Sequence, residues 1–108
     1  MTALSTDLAR FSERAGEVAA MLKALSNRAR LMVLCQLAEH GELRVGDLVS
    51  AVGLSQSALS QHLAKMRDEE IVTFRRDGKE LFYRIADPRC EALLSTLHAL
   101  YCADDGAP

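Results

Sequence analysis

The sequence lacks the features that mark membrane-spanning, secreted and catalytic proteins. It contains no tryptophan, two prolines and three cysteines among 108 residues. No run of about 18 apolar residues is present, so no span across a bilayer is predicted. The N-terminus has no apolar segment with a small-residue cleavage site, and the chain has no CxxC pair, Ser-His-Asp set or phosphate-binding glycine loop. We therefore expect a cytoplasmic protein that is not an enzyme and has no membrane partner.

A strong net charge is also missing, and this bears on nucleic-acid binding. The formal net charge is -2, which by itself argues weakly against an anionic partner such as DNA. When the chain is divided into four segments, residues 55–84 are the only segment in which basic residues outnumber acidic ones. So small an excess predicts that DNA affinity depends on two half-sites bound together and falls with salt.

Within that segment the sequence predicts a helix with two different faces. The apolar residues Leu59, Leu63 and Met66 recur at three- and four-residue spacing, which indicates one buried stripe. The opposite face carries short or amide-bearing side chains that both donate and accept hydrogen bonds, namely Gln56, Ser57, Ser60 and Gln61. Side chains of this kind approach base edges and phosphates in a major groove. We therefore predict that these four residues contact DNA.

A short basic β-hairpin is predicted directly after this helix. Residues 72–76 and 81–85 have the composition of strands, and Asp77-Gly78 between them is a strong turn signal. Arg76 and Lys79 flank the turn, where we predict contacts with phosphate or with the minor groove. A helix followed by such a hairpin is typical of a winged helix that binds double-stranded DNA.

The fold class that follows is mainly α with a small β-hairpin, in one winged helix-turn-helix domain over residues 1–108. Helices are predicted over about 6–24, 28–40, 45–52, 56–69 and 88–102. Ser55 is the expected N-cap of the recognition helix, and Asp87 is the expected cap of the last one, followed by Pro88 at its first position. Residues 45–69 form the helix-turn-helix and residues 72–86 form the wing.

The terminal helices, residues 1–24 and 88–103, are not needed to form this DNA-binding unit, yet both carry apolar stripes. These stripes contain Leu8, Phe11, Ala15, Val18 and Leu22 in the first helix and Leu93, Leu97, Leu100 and Tyr101 in the last. An unshared apolar face on so small a domain favours contact with a second copy. We predict a two-fold homodimer that binds an inverted-repeat operator. The alternative is that both stripes close the core of a monomer.

Three segments of the chain resemble the ArsR family of dimeric winged-helix transcriptional repressors. They read LKALSNRARLMVLCQL, ELRVGDLVSAVGLSQSALSQHLAKMRDEEIV and DGKELFYRIAD, and the likeness extends from about Leu22 to Cys102. The resemblance implies that an effector bound outside the DNA-binding unit lowers DNA affinity and releases transcription.

The metal sites of this family do not match the sequence. The thiolate site has two cysteines in the segment that here reads ELRVGDL, where this chain has Arg44 and Gly46. The zinc site needs a histidine two residues after an aspartate, but Asp87 is followed by Arg89, and His98 is the only imidazole of the last helix. We therefore expect no metal and no cofactor. A repressor that responds to arsenite or zinc remains the alternative.

Cys35, in LMVLCQL, and Cys102, in HALYC, resemble the dithiol of the persulfide-responsive branch of the family. BigR and SqrR represent that branch, and HlyU-type regulators are its relatives. The resemblance implies that reactive sulfur links the two thiols by a disulfide or polysulfide bridge and so releases the operator. Two alternatives stay open: an ordinary core cysteine with a second one at a frayed helix end, or an HlyU-type virulence regulator that senses general oxidants.

Cys90 is the third cysteine and departs from this pattern. It is predicted in the first turn of the last helix, where the helix dipole would lower its pKa. Cys90 and Cys102 are conceivable metal ligands, but they lie about 120° apart around an ideal helix and cannot chelate together from one helix. We predict that Cys90 is not essential for the response.

Overall fold

The fold has five α-helices and a three-stranded sheet within residues 2–102, which are the residues described by a computed structural model, with side chains from residue 7 onward. The elements are α1 Thr2–Leu25, α2 Arg28–His40, β1 Leu43–Arg44, α3 Val45–Val52, α4 Gln56–Asp68, β2 Val72–Asp77, β3 Glu80–Ile85 and α5 Pro88–Cys102. The mainly α fold with a small hairpin is confirmed, and the bounds of α2, α3 and α5 agree with the prediction. Residue 103, predicted in the last helix, lies outside the described residues.

Local capping explains where α3 ends and where α4 and α5 begin. The Ser55 hydroxyl accepts a hydrogen bond from the backbone N–H of Ala58 at 3.1 Å, and Asp87 Oδ1 accepts one from the N–H of Arg89 at 2.9 Å. Gly53 ends α3 in the left-handed conformation, with φ at 78°. The chain therefore turns from α3 into α4 within three residues, as in a helix-turn-helix.

The sheet is antiparallel, with the strand order β1-β3-β2. Tyr83 of β3 stands between Leu43 of β1 and Phe74 of β2, and the Phe74 and Tyr83 rings are 5.3 Å apart between centroids. The strand β1 is missing from the sequence prediction because two residues are too few to show an alternating pattern. Its pairing attaches the hairpin to the segment between α2 and α3.

The hairpin turn is one residue further along the chain than predicted. Asp77 pairs with Glu80, so Gly78 and Lys79 are its central residues. Gly78 has φ at 64°, a conformation that glycine adopts without steric cost. Lys79 is thereby placed at the exposed tip of the wing.

The core lies between the helices and the inner face of the sheet. Its buried residues are Ala24, Leu25, Val33, Leu34, Leu37, Leu48, Leu59, Leu63, Met66, Ile71, Val72, Tyr83, Ile85, Cys90 and Leu94. The predicted stripe of α4 is fully buried. On α2 the buried residues are Val33, Leu34 and Leu37, whereas Ala38 is exposed. The reason is that α2 contacts α1, α3, α5 and β3, so its buried surface is wider than one stripe.

The terminal helices keep much of their predicted apolar stripes outside this core. Leu8 is 61% exposed, Leu100 is 73% exposed and Tyr101 is 79% exposed, and Phe11 and Leu22 are also exposed. The helix α5 packs on the core through Cys90 and Leu94 instead. The alternative that the stripes close the core of a single chain is therefore wrong for these residues. None of the helices in the described part of the chain combines the length and the apolar character needed to cross a bilayer.

Candidate functional site

The helix α4 presents the four predicted DNA-contacting residues on one solvent-exposed face. Gln56, Ser57, Ser60 and Gln61 are all exposed, while Leu59 on the opposite side is fully buried. Among the described residues, none of the four side chains makes a hydrogen bond that would occupy its donors and acceptors. This recognition face, defined by those four residues, is therefore available to an external partner with hydrogen-bonding groups.

The three basic residues near the hairpin turn, Arg75, Arg76 and Lys79, fall into two groups. Arg76 and Lys79 are exposed, and neither forms an ion pair within the part of the chain that is described. Arg75 lies on the other face of β2, where it donates two hydrogen bonds to Glu42 and stacks over the Phe82 ring at 4.5 Å. Its guanidinium lowers the pKa of the Glu42 carboxyl. Arg76 and Lys79 thus remain free for an anionic partner, and Arg75 does not.

Two contacts hold the wing in position against the rest of the fold, and sequence analysis missed both. Besides the Arg75–Glu42 pair, the guanidinium of Arg67 at the end of α4 lies 5.0 Å from the centroid of the Phe74 ring in β2. Cation–π contacts of this length stabilise the approach of the two elements. A pattern of local spacing cannot reveal either pair, because their partners belong to different elements of the fold.

The second candidate site is the pair Cys35 and Cys102, which belong to two helices in contact, α2 and α5. Both are half-buried, and both are free thiols. Burial, and next the charge of a Cys102 thiolate, raise the pKa of Cys35. Cys35 is thus within electrostatic range of a Cys102 thiolate across the contact between α2 and α5.

Cys90 has a different environment from the one predicted. Its side chain is fully buried, and burial, followed by the negative charges of Asp87, Glu91 and a Cys35 thiolate, raises its pKa to about 11. The prediction that the helix dipole lowers this pKa is wrong, because the loss of hydration outweighs the dipole. A thiol of this kind is a poor nucleophile at neutral pH.

A groove with a volume of about 790 Å³ runs between α2 and α5 beside Cys35. The polar residues that line it include Glu39, Glu91, Ser95 and His98. Among the described residues, no three His, Cys, Asp or Glu side chains are grouped as a metal site would require. The chemistry of this groove therefore centres on the thiol of Cys35 and on the two carboxylates.

Comparisons with known proteins agree with this arrangement. The family model for bacterial regulatory proteins of the arsR family matches residues 27–73. The HTH-type transcriptional regulator YgaV of Escherichia coli K12 is 41% identical over 97 residues, which cover 90% of this chain and 98% of that protein. The transcriptional activator HlyU of Vibrio cholerae is 40% identical over 96 residues, covering 89% and 88%.

A solved structure extends the likeness to three dimensions. The crystal structure of the transcriptional repressor BigR from Xylella fastidiosa matches with a TM-score of 0.82 at 40% identity, and covers 87% of this chain and 95% of that one. These relatives are named as regulators of transcription. They agree with the expectation that the chain is not an enzyme.

Proposed function

Because the chain belongs to the arsR family of bacterial regulatory proteins, we propose that it represses transcription from a DNA operator and leaves that operator when reactive sulfur crosslinks Cys35 and Cys102. It is a transcriptional regulator of the BigR and HlyU type, and its place of action is the cytoplasm, where the operator is. The observation that carries the proposal is that two free, half-buried thiols belong to two helices in contact, α2 and α5.

The recognition face of α4 enters the major groove in this proposal. The exposed amides of Gln56 and Gln61 bond base edges, and the hydroxyls of Ser57 and Ser60 bond bases or phosphates. Arg76 and Lys79 of the wing contact phosphate or the minor groove. Support comes from the exposure of all six side chains, with no competing ion pair at either wing cation among the described residues.

A homodimer places two such units on an inverted repeat. The exposed apolar residues of the terminal helices, among them Leu8, Leu22 and Leu100, provide the surface that a second copy covers. Dimerisation also compensates for the small basic excess of each chain, because the two half-sites are bound together. The dimer therefore makes the affinity sensitive to any change in the distance between the two α4 helices.

The crosslink forms in two displacements that balance in atoms and electrons. The thiolate of Cys35 attacks the outer sulfur of a persulfide RSSH, which gives Cys35–S–SH and releases RSH. The thiolate of Cys102 then attacks the inner sulfur, the S–SH bond breaks and hydrogen sulfide leaves, which closes a disulfide. When both cysteines carry an extra sulfur, the same displacement expels hydrogen sulfide and leaves a trisulfide. The sulfane sulfur of the donor is thus reduced to hydrogen sulfide while the protein thiols are oxidised.

The position of α2 explains how a crosslink would reach the DNA-binding unit. This helix contacts α3 of the helix-turn-helix and β3 of the wing, and on its other side it contacts α5. A covalent bridge fixes α5 on α2 and so changes how the dimer helices present the two units. A coupling of about 1–3 kcal/mol would weaken operator binding roughly 5- to 150-fold.

The test combines operator binding with mass spectrometry. An operator is selected from random duplexes with the reduced protein, and binding is followed by fluorescence anisotropy. Cysteamine persulfide is then added, and the number of sulfur atoms between Cys35 and Cys102 is counted in the intact and digested protein. We expect release of the operator in parallel with formation of a bridge between these two residues.

Three other results would each overturn the proposal in a recognisable way. Release by stoichiometric arsenite or zinc, without a bridge, would identify a metal-responsive regulator. Equal release by peroxide would identify a sensor of general oxidants. Activation instead of repression of a promoter reporter would identify an activator, which is what the relative in Vibrio cholerae is named.

A further inference from the structure

The groove between α2 and α5 leads to Cys35, and its charge is of one sign. Glu39 follows Cys35 by one helical turn on α2, and Glu91 lies across the groove on α5. Both carboxylates are exposed, and neither is in an ion pair within the described part of the chain. The residues that line the groove include no lysine or arginine. A molecule that approaches Cys35 by this route therefore meets two carboxylates that no ion pair and no lining lysine or arginine neutralises.

The same groove extends toward the second thiol. Glu91, Ser95, His98 and Cys102 follow one another at four-, three- and four-residue spacing, which places them along one face of α5. Three of the four line the groove, and Cys102 is one turn beyond His98. A sulfur donor in the groove is thus next to Cys35 and close to the residue that must complete the bridge.

We propose that this groove is the entry route for the sulfur donor and that Glu39 and Glu91 select its charge. The preferred donor is a persulfide whose organic part is an ammonium or is uncharged, and a polyanionic persulfide is disfavoured. This inference rests on the proposed function, because it concerns the first displacement at Cys35. In that step the outer sulfur of RSSH is transferred to the Cys35 thiolate and RSH leaves through the same groove.

The physical basis is the field in a cleft lined by charges of one sign. Such a cleft raises the local concentration of the opposite charge, and the effect on a rate is on the order of tenfold or more at low ionic strength. Both carboxylates are exposed, so salt at physiological concentration reduces the effect over a Debye length of about 8 Å. The selection is consequently a rate effect that salt diminishes.

A pair of thiol reagents that differ in charge tests the groove without any sulfur donor. A cationic trimethylammonium-ethyl methanethiosulfonate and an anionic sulfonatoethyl methanethiosulfonate are reacted with the full-length reduced protein at about pH 8, where an ordinary imidazole is neutral. In each case the thiolate forms a mixed disulfide and methanesulfinate leaves. Modification of Cys35 is measured by digestion and mass spectrometry. The rate with the cationic reagent is divided by the rate with the anionic one. This ratio is then divided by the same ratio for N-acetylcysteine, which corrects for the different reactivities of the two reagents.

We expect the normalised ratio at Cys35 to favour the cationic reagent on the order of tenfold at low salt and to approach one at high salt. The double variant E39Q/E91Q should bring the ratio close to one. The matched control E13Q/E80Q removes two exposed carboxylates that do not line the groove, and it should leave the ratio unchanged. A ratio near one in the parent protein, or the same ratio in E39Q/E91Q, would refute the inference.

A second arm separates this inference from the proposed function. Cysteamine persulfide, which carries an ammonium, is compared with the net anionic persulfide of glutathione. If a Cys35–Cys102 bridge forms at equal rates with both, the function stands and the charge selection fails. If neither persulfide forms the bridge while the thiosulfonate ratio holds, the groove selects charge but the proposed effector is wrong.

Discussion

Arg75 of β2 donates two hydrogen bonds to the carboxylate of Glu42, at 2.8 and 2.9 Å, although 33 positions separate the two residues in sequence. The pair ties the wing to the segment that links α2 and β1. It also gives one of the three cations near the hairpin turn an intramolecular partner, since the Arg75 guanidinium is bound to a carboxylate. Of these three cations, Arg76 and Lys79 are the two left for the proposed phosphate contacts.

Replacing either free wing cation should weaken operator binding and reduce its salt dependence. For Arg76→Ala and for Lys79→Ala, we expect the slope of log K against log salt to fall by about 0.9 for each phosphate that the variant no longer neutralises. Non-specific DNA should be affected similarly, because phosphate contacts carry no sequence information. Fluorescence anisotropy over a salt series measures both effects.

The double variant E42Q/R75Q is the matched control, since it removes one cation and one anion of the same pair. Its salt slope should equal that of the parent protein. A slope reduced as far as in Lys79→Ala would mean that Arg75 contacts phosphate and that the intramolecular pair opens on DNA.

The amides of α4 should affect sequence selection more than overall affinity. Gln56→Ala and Gln61→Ala each remove one exposed amide from the recognition face, and a bidentate base contact contributes about 1–3 kcal/mol of discrimination. We expect weaker binding to the selected operator with little change on non-specific duplex. Competition assays give this specificity ratio, and Ser50→Ala on the exposed side of α3 is the control. Equal losses on both DNAs would reassign the two glutamines to phosphate contacts.

Local signals in the sequence were sufficient to predict α4 and its exposed face. The hydroxyl of Ser55 and the apolar spacing of Leu59, Leu63 and Met66 are contained within one helix and its cap, and the structure confirms each of them. The hairpin was predicted for the same reason, although its turn is centred one residue later. These features depend on neighbours within a few positions, which a sequence pattern displays directly.

Features that depend on packing between distant segments were not predictable in this way. The strand β1 exists because Leu43 finds Tyr83 as its pairing partner, and Val33 is buried because several elements surround α2. The pKa of Cys90 is another example. Its position in a first helical turn suggested a lowered value, but the burial that raises it comes from tertiary packing.

The three cysteines should differ in their effect on the response to persulfide. Cys35→Ser and Cys102→Ser each remove one end of the proposed bridge, so operator release should be abolished while reduced binding is kept. Cys90→Ala should respond as the parent protein does, because its thiol is buried and poorly ionised. Anisotropy before and after persulfide addition measures this. Loss of the response in Cys90→Ala alone, with folding intact, would contradict the assignment.

The buried thiol of Cys90 also predicts how stability changes in alkaline solution. Its pKa is raised from 9.0 to about 11, so the neutral thiol is favoured in the folded state. The resulting stability is fully present below pH 9.0 and is lost as the pH rises through about 11. Two pKa units correspond to a loss on the order of 2–3 kcal/mol.

The comparison with Cys90→Ala isolates this contribution from the titration of other groups. The variant is less stable below pH 9.0 because it lacks the packed sulfur, and the difference in unfolding free energy from the parent protein should shrink as the pH approaches about 11. Urea denaturation over this pH range provides the values. A difference that stays constant with pH would show that the pKa of Cys90 is the same in the folded and the unfolded chain.

The exposed apolar residues of the terminal helices predict that the protein is a dimer and that dimerisation is required for tight DNA binding. Leu100 and Tyr101 are largely exposed in the single chain, so L100E/Y101E should leave the fold intact while placing charge in the proposed interface. We expect the parent protein to sediment as a dimer at micromolar concentration and the variant as a monomer. Because a monomer binds one half-site, the variant should also lose most of its affinity for an inverted repeat, whereas Ser50→Glu should remain dimeric. A parent protein that sediments as a monomer would leave these side chains without the proposed partner.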